Sequence, residues 1–287
     1  MAFSKPLMGT EFRIVAHHSD SMLVKKAAEE AFQRVADIEK VFSDYDETSE
    51  VSLLSEKGNA VVSQELWDML NYCYAISERT DGAFDVTVGA LTKLWRRAFR
   101  QKEMPTKEEI KAAKATVGYE AIGFNIPARK IWLKKTRMKL DFGGIAKGYA
   151  VDEAMRVLRS HGIYAALVDG GGDIVVGWSP PGQQGWDIEL PDKLENGELT
   201  FKKALLSNTA IATSGDTYRY LEHDGKRYSH IIDPRTGYGL NNRRVVTVTA
   251  PTCMAADAWA TAASVGIKKS LVANLEAEGI QIVVLEN

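Results

Sequence analysis

A pair of adjacent glycines between two regular segments constrains the fold of this 287-residue chain more than any other feature. Gly143 and Gly144 follow the strand-like segment MKLDF at 138–142. After the glycines, small and apolar residues recur at helical spacing until a His-Gly pair ends the pattern: Ala146, Ala150, Ala154 and Val157, then His161 and Gly162. This order predicts a strand, a glycine turn and a helix.

The glycine turn also predicts a place where a ligand meets bare backbone. Glycines allow a ligand to approach the main chain closely, and the free N–H groups at a helix start favour an anion such as a diphosphate. Lys147 falls in the predicted first turn of the helix, where the helix dipole disfavours a cation unless an anion is near. The alternative is a tight packing turn with Lys147 in solvent.

Composition limits the classes of partner. The formal net charge of -2 gives no overall basic character, which argues against nucleic acid and against a membrane surface. A hydrophobic fraction of 45% is that of an ordinary globular protein, and no apolar stretch approaches the ~20 residues of a membrane span. Cys73 and Cys253 are the two cysteines, and both are predicted to be buried free thiols.

Strand-like segments outnumber helical ones. Helical periodicity covers residues 21–42 and 63–79, and a third helix begins at Thr106, where Thr106 and Glu109 form a capping box. Strands are predicted for EFRIVA at 11–16 and for YAALVD, DIVVGW, WDIEL, RVVTVTA and IQIVVLE, while RKIWLKK and MKLDF are predicted to pair as a hairpin. Because short turns join several strands, we expect an α+β fold with largely antiparallel sheets and packed helices.

Three polar turns are further candidates for a site. The segment VDGGGDI predicts a hairpin flanked by Asp169 and Asp173. The segment TSGD at 213–216 is predicted to be a turn that binds an anion or caps a helix. His230 is predicted to lie on a strand that stops at the following Asp-Pro, where DPRTG favours a turn. A histidine in this place is either structural or catalytic.

A small-residue helix offers two hard oxygen ligands. In the segment APTCMAADAWATAASVGI, Asp257 and Thr261 are four residues apart and therefore share one helix face. The pair could bind Mg²⁺ together with a substrate diphosphate and a backbone carbonyl, because Mg²⁺ typically uses few protein ligands. The alternative is that Asp257 forms a local cap or ion pair and that the alanines only allow close helix packing.

Eight motifs occur in an order that resembles the ApbE family of flavin transferases: MGT at 8–10, FSDYDETSEVSLL at 42–54, DGAFDVTVGAL at 81–91, DFGGIAKGYAVD at 141–152, DGGGDI, TSGD, SHIIDPRTG and ADAWATAASV. The resemblance implies an ApbE-like, T-fold-like single large domain over residues 1–287. It also implies Mg²⁺-dependent transfer of FMN from FAD to a Ser or Thr hydroxyl of an acceptor flavoprotein, with release of AMP. Subunits of membrane redox pumps are acceptors that the resemblance suggests.

The resemblance further implies roles for individual residues. Those expected to contact FAD are Met8, Tyr45, Ala83, Phe84, Asp85, Asp141, Lys147 and Ile231. Those expected to hold the metal are Asp257, Thr261 and the backbone carbonyl of Gly144. Ala260 stands where some relatives carry a second acidic residue. His230 is the candidate for the base that takes the acceptor proton, because an imidazole pKa of about 6.5 suits that task, and Asp257 is the alternative.

Two other functions and two locations stay open at this point. Water in place of the acceptor hydroxyl would make the enzyme an FAD pyrophosphatase that yields FMN and AMP. A protein that binds FAD without chemistry is the other alternative, against which Asp257 and Thr261 argue. We expect the cell envelope as the location, with an export signal trimmed from the sequence, and the cytoplasm otherwise.

Overall fold

The computed structural model describes residues 1–194, 198–215 and 220–286. Its α-helices are α1 (Ser21–Phe42), α2 (Glu50–Lys57), α3 (Gln64–Arg79), α4 (Gly89–Gln101), α5 (Lys107–Lys114), α6 (Ala146–Ser160), α7 (Cys253–Val265) and α8 (Lys269–Ala277). Its strands are β1 (Ala2–Leu7), β2 (Thr10–His17), β3 (Asn59–Val61), β4 (Ile122–Asn125), β5 (Lys130–Leu133), β6 (Ala165–Gly170), β7 (Ile174–Val176), β8 (Trp186–Lys193), β9 (Leu199–Leu206), β10 (Thr209–Gly215), β11 (Tyr220–His223), β12 (Lys226–Ser229), β13 (Arg244–Ala250) and β14 (Gln281–Glu286).

The largest sheet has seven strands in the order β1-β2-β6-β7-β10-β13-β14. Every neighbouring pair in it is antiparallel. Three smaller antiparallel sheets, β3-β5-β4, β8-β9 and β11-β12, lie outside it. The predicted α+β fold with largely antiparallel sheets is therefore confirmed.

Three helices cover the large sheet. Helix α6 contacts β6 and β7, α7 contacts β10 and β13, and α1 lies along α6. Helix α1 buries one apolar face, as its periodicity predicts: Val24, Ala27, Ala28, Ala31, Phe32, Val35, Ile38 and Phe42. Helix α7 is buried on nearly every side, which its alanines permit because they let backbones approach closely. The same stack of helices on the sheet brings the starts of α6 and α7 together.

Most predicted elements are confirmed. Helix α3 is capped by Ser63, and Thr106 and Glu109 form the predicted capping box at the start of α5. Both cysteines are buried and free, and burial raises the pKa of each thiol well above its usual value. Among the described residues, no helix is both long enough and apolar enough to cross a bilayer.

The predicted hairpin of RKIWLKK with MKLDF is wrong. Strand β5 pairs with β4 and β3 instead, and residues 138–142 form no regular strand. The backbone of this segment bonds elsewhere: Leu140 N–H donates to Ser55 Oγ at 3.0 Å and Asp141 N–H to the Val86 carbonyl at 2.8 Å. Its apolar residues are buried because the segment lies between α2 and residues 86–89. These neighbours are distant in sequence, so a local pattern cannot identify them.

Candidate active site between two packed helices

The glycine turn leads into α6 as predicted. The Phe142 carbonyl accepts the N–H of Ala146 at 2.8 Å, so the helix begins directly after the two glycines. Gly143 N–H donates to Asp141 Oδ1 at 2.7 Å, which fixes the acid at the entrance of the turn. The N-cap residue of α6, Ile145, has no capping side chain. Farther into the first turn, one N–H group bonds to a carboxylate of α7, and the helix dipole adds partial positive charge at this end of α6.

Close packing of α6 on α7 explains why this segment needs glycine. A Cβ atom at Gly148 would lie 2.3 Å from the Cys253 carbonyl oxygen, and one at Gly144 would lie 2.8 Å from Thr261 Oγ1. The Gly148 N–H also donates to Asp257 Oδ2 at 3.1 Å. The structure thus brings together Gly144, Asp257 and Thr261, the three residues predicted to hold the metal.

A third carboxylate clamps the two helices to each other. Asp152 on α6 accepts the backbone N–H groups of Cys253 and Met254 at the start of α7, both at 2.8 Å. Burial raises the pKa of Asp152 to about 6, although the two N–H donors oppose this rise. Asp152 therefore sets the position of α7, and with it that of Asp257, relative to the start of α6.

Lys147 does not extend freely into solvent, which was the alternative to a ligand-binding role, because its side chain is only 31% exposed. Its ammonium group forms an ion pair with Asp173, whose side chain is only 4% exposed. Asp173 stands at the end of the three-glycine turn before β7, where the predicted β6-β7 hairpin is confirmed. The sequence marks Asp173 only as a flank of that turn, because its pairing with Lys147 depends on the tertiary fold.

Charges in the centre influence one another strongly. Burial and the Asp173 charge raise the pKa of Asp257 to about 7, while Lys147 and the Gly148 N–H lower it. Burial raises the pKa of Asp173, opposed by Lys147. Burial lowers the pKa of Lys147, but Asp173 and Asp257 outweigh it and raise that pKa above its usual value. We name this group of Lys147, Asp173 and Asp257 the α6–α7 centre.

The oxygen donors of the centre suit Mg²⁺. Asp257 and Thr261 offer hard oxygen ligands, and Asp257 Oδ1 accepts no hydrogen bond from the described residues. The structure contains no group of three or more His, Cys, Asp or Glu side chains able to hold a metal in the part of the chain that it describes. A cation there would depend on a single carboxylate from the protein and on oxygens from a substrate, as Mg²⁺ sites commonly do.

A second group of charges lies beside the glycine turn. Arg96 on α4 donates to Asp44 Oδ2 at 2.5 Å and to Asp141 Oδ2 at 2.9 Å, and its guanidinium lies 4.2 Å from the ring centroid of Tyr45. Burial and the neighbouring Asp141 raise the pKa of Asp44, opposed by Arg96. We name these four residues the Arg96 cluster. The sequence did not identify Arg96 or Asp44 as site residues, although Asp44 lies inside the motif at 42–54 and Arg96 follows the motif at 81–91.

Other residues predicted to contact FAD lie at varied depths. Met8 occupies the turn between β1 and β2 with a positive φ of 49°, and its N–H donates to Glu39. Tyr45 is 76% exposed, whereas Ala83 and Phe84 are buried. The Asp85 carboxylate is buried too and already accepts hydrogen bonds from residues 87 and 119. Any contact of residues 83–85 with a ligand therefore has to use the backbone.

Two predictions near the end of the chain need correction. His230 is not on a strand, because β12 ends at Ser229 and His230 follows it as an exposed residue in a bend. Ile231 continues this bend, with its N–H donating to Ser229 Oγ at 3.0 Å. The TSGD segment is no turn either: residues 213–215 belong to β10, paired with β13, and Asp216 lies outside the described residues.

Comparisons with known proteins agree over nearly the whole chain. The model of the ApbE family matches residues 8–284. The FAD:protein FMN transferase of Vibrio cholerae is 32% identical, covering 98% of this chain and 86% of that protein. The corresponding protein of Klebsiella pneumoniae is 28% identical, covering 98% and 88%.

Solved structures with this fold belong to the same group of proteins. The Thermotoga maritima ApbE protein superimposes with a TM-score of 0.86 at 31% identity, over 100% of this chain and 94% of that chain. Flavin transferase ApbE from Vibrio cholerae gives a TM-score of 0.85 at 30% identity, over 99% and 92%. These likenesses agree with the ApbE-like arrangement that the ordered motifs predict.

Proposed function

The chain belongs to the ApbE family and is an FAD:protein FMN transferase, and from this premise we propose that the α6–α7 centre carries out the transfer with Mg²⁺. The FMN phosphate of FAD forms a new bond to a Ser or Thr hydroxyl oxygen of the acceptor, the diphosphate bond breaks, and AMP leaves. The hydroxyl proton passes to a base on the enzyme. The observation that carries this placement is the ion pair of the half-buried Lys147 with the buried Asp173, next to the buried Asp257 at the start of α6.

Each part of this centre suits a diphosphate. The N-terminal end of α6 attracts phosphate oxygens through the helix dipole. Lys147 carries a cation to the same place, held by Asp173. We assign Asp257, Thr261 and the Gly144 carbonyl to Mg²⁺, which when bound would neutralise charge on the phosphates. Phosphoryl transfer depends mainly on positioning and charge neutralisation, which these residues supply without forming a covalent intermediate.

We assign the flavin side of FAD to the Arg96 cluster and its surroundings. Arg96 holds the exposed ring of Tyr45 and the buried carboxylate of Asp141 in one unit, next to the glycine turn. A flavin lying against Tyr45 would thus be fixed relative to the diphosphate site. The remaining proposed contacts of FAD are Met8, the 83–85 backbone and Ile231.

His230 is the base that we propose for the acceptor hydroxyl. Its exposure leaves it reachable by a group on another protein, whereas Asp257 is 4% exposed and is assigned to the metal. The comparison of His230→Ala with Asp257→Ala tests this choice. We expect His230→Ala to slow transfer while FAD still binds; transfer at the parent rate in that variant would make the assignment wrong.

We propose that the acceptor is a flavoprotein with a Ser or Thr flavinylation motif, membrane redox pump subunits included, and that the enzyme works in the cell envelope. The test is to label flavin in cells with and without this protein and to fractionate them. Flavin bound covalently to an envelope protein only when the enzyme is present would support the proposal. Covalent flavin on cytoplasmic proteins alone would contradict it.

Mass spectrometry tests the chemistry directly. The protein is mixed with FAD, Mg²⁺ and an acceptor fragment that carries the Ser or Thr motif, with EDTA and the Asp257→Ala variant as controls. We expect the acceptor to gain the mass of one FMN residue only when metal and Asp257 are both present. Free FMN and AMP with an unmodified acceptor would indicate a pyrophosphatase, and intact FAD throughout would indicate a binding protein without chemistry.

A further inference from the structure

A basic groove lies between α2, the small β3-β5-β4 sheet and the segment after β5. It has a volume of about 840 Å³. Six basic side chains and one acidic side chain line it: Lys57, Lys130, Lys134, Lys135, Arg137 and Lys139, with Glu56. This concentration of positive charge contrasts with the net charge of -2 for the whole chain. We name it the basic groove.

Acidic side chains in the described part of the chain leave these basic groups without ion pairs. None of the six basic side chains forms a salt bridge with any residue that the structure describes. Lys135 donates to the Val117 carbonyl, and Lys57, Lys130, Lys134 and Arg137 are exposed. Like charges close together repel one another and create a positive potential that attracts an anionic partner.

The shape and lining of the groove favour an extended polypeptide over a flat membrane surface as the anionic partner. Its lining includes Leu133 and Met138, which are buried, and Trp132, which packs so closely over Gly123 that a Cβ atom there would lie 2.1 Å from the indole nitrogen. A flat bilayer surface could meet the lysines at the rim but not these apolar groups within a concave site. An extended polypeptide with acidic and apolar side chains could contact both.

The groove is joined to the proposed active site through one segment of chain. Ser55 lines the groove and accepts the Leu140 N–H at 3.0 Å. Lys139 also lines the groove, and Asp141 of the Arg96 cluster follows two residues later, within about 7 Å along an extended chain. A partner bound in the groove would therefore lie close to the flavin side of the site.

We propose that the basic groove binds an acidic segment of the acceptor protein and thereby holds the acceptor beside the active site. The proposal rests on the proposed function, because a transferase must bind a protein as well as FAD. Nucleic acid is the poorer partner, since the basic surface is one groove on a chain of negative net charge. The groove supplies affinity and approach rate for the acceptor and takes no part in the chemistry.

A matched pair of charge-reversal variants tests the proposal. The groove variant carries Lys57→Glu, Lys130→Glu and Lys134→Glu, three exposed residues without side-chain partners among the described residues. The control variant carries Lys25→Glu, Lys107→Glu and Lys269→Glu, at lysines that are also exposed and lie outside the groove. Both variants have the same net charge, so a difference between them reports the location of the charge.

The probe is a fluorescein-labelled dodecapeptide of alternating Glu and Ala, and its binding is measured by fluorescence anisotropy. We expect the parent protein to bind it and the groove variant to bind it at least about tenfold more weakly, with a change below about twofold in the control variant. Binding to the parent should weaken as salt rises, because exposed charges are screened. Equal loss in both variants, or no loss in the groove variant, would overturn the proposal.

Two further measurements separate this proposal from its alternatives. The Kd of FAD and the release of FMN from FAD without acceptor should be unchanged in the groove variant. A higher Kd or a slower release would place the groove in the FAD site and overturn the proposal. The second measurement follows the binding of the parent and of the groove variant to vesicles of equal parts phosphatidylcholine and phosphatidylserine. Loss of vesicle binding without loss of peptide binding would identify a lipid surface. If even the parent fails to turn over FAD, the proposed function fails while the peptide measurement still stands.

Discussion

The α6–α7 centre and the Arg96 cluster each contain one basic side chain and two carboxylates, but they differ in which groups stay available to a ligand. In the α6–α7 centre, Lys147 forms its ion pair with Asp173, while Asp257 keeps one oxygen without a hydrogen bond from the described residues. In the Arg96 cluster, the planar guanidinium donates to both carboxylates at once. The first arrangement leaves an acid available for a ligand, and the second uses its cation to fix two chain segments.

The choice of cation follows from this difference. Lysine is a compact point charge that can turn toward a phosphate, whereas the arginine fork fixes the geometry of two acceptors and stacks on an aromatic ring. The centre would thus serve the reacting phosphates, and the cluster would keep Tyr45 and Asp141 in position. Four predictions, from the largest expected effect to the smallest, test whether the two places differ in this way.

The first prediction removes one acid from each place. Asp257→Asn keeps the side-chain shape and an acceptor for the Gly148 N–H but loses the charge proposed to hold Mg²⁺, so transfer should slow by about 10³-fold or more. Asp44→Asn should slow transfer less than about tenfold, because Arg96 keeps its bond to Asp141. Single-turnover formation of FMN-labelled acceptor measures both rates.

Circular dichroism and thermal melting serve as controls for this pair, since both variants are expected to fold. Similar rate losses in the two variants would show that the places share one role. A larger loss in Asp44→Asn than in Asp257→Asn would reverse the comparison.

The second prediction removes the lysine from the centre. Lys147→Met leaves Asp173 buried without its cation, and breaking such a pair should lower the free energy of unfolding by about 3 kcal/mol. The double variant Lys147→Met with Asp173→Asn should recover more than half of this loss, because no buried charge stays unpaired. Urea unfolding measures the stabilities. Equal stability of the single and double variants would show that Asp173 does not depend on Lys147.

The two places also differ in how far the sequence predicts them. The α6–α7 centre depends on local motifs: the glycine turn predicts the start of α6 and Lys147, and four-residue spacing places Asp257 with Thr261. The sequence does not predict that Asp173 pairs with Lys147. The two residues are 26 positions apart and meet only because β6 and β7 form a hairpin.

The Arg96 cluster is less predictable because its members come from three distant segments. Asp44 and Asp141 are 52 and 45 residues away from Arg96 along the chain. Arg96 and Arg97 look alike in sequence, and only the packing of α4 turns one inward while the other forms a surface ion pair with Glu109. The failed hairpin at 138–142 has the same cause, since its actual neighbours at 86–89 are distant in sequence.

The third prediction uses this pair of adjacent arginines. Arg96→Lys keeps the charge but loses the fork that joins Asp44, Asp141 and the Tyr45 ring, so the Kd of FAD should rise about tenfold, or about 1.4 kcal/mol. Arg97→Lys is the matched control and should leave the Kd of FAD unchanged, because its ion pair is largely exposed. Quenching of flavin fluorescence measures both constants. Equal affinities in the two variants would show that the fork has no role in flavin binding.

The fourth prediction concerns Asp152, a half-buried acid that has N–H donors in place of a cation. Its pKa of about 6 lies above that of an ordinary Asp, so the folded state holds the proton more tightly than the unfolded chain. Its contribution to stability is therefore present below the unfolded pKa and is lost as pH rises through about 6.

Asp152→Asn cannot titrate and loses one of the two N–H bonds. Between pH 5 and pH 8, its deficit in unfolding free energy against the parent should be largest at pH 5 and shrink by about 1 kcal/mol by pH 8, as thermal melts across that range would show. A deficit independent of pH would mean that Asp152 is ionised in the folded protein throughout this range. Backbone N–H donors alone would then stabilise a half-buried carboxylate, as Lys147 and Arg96 do in the other two places.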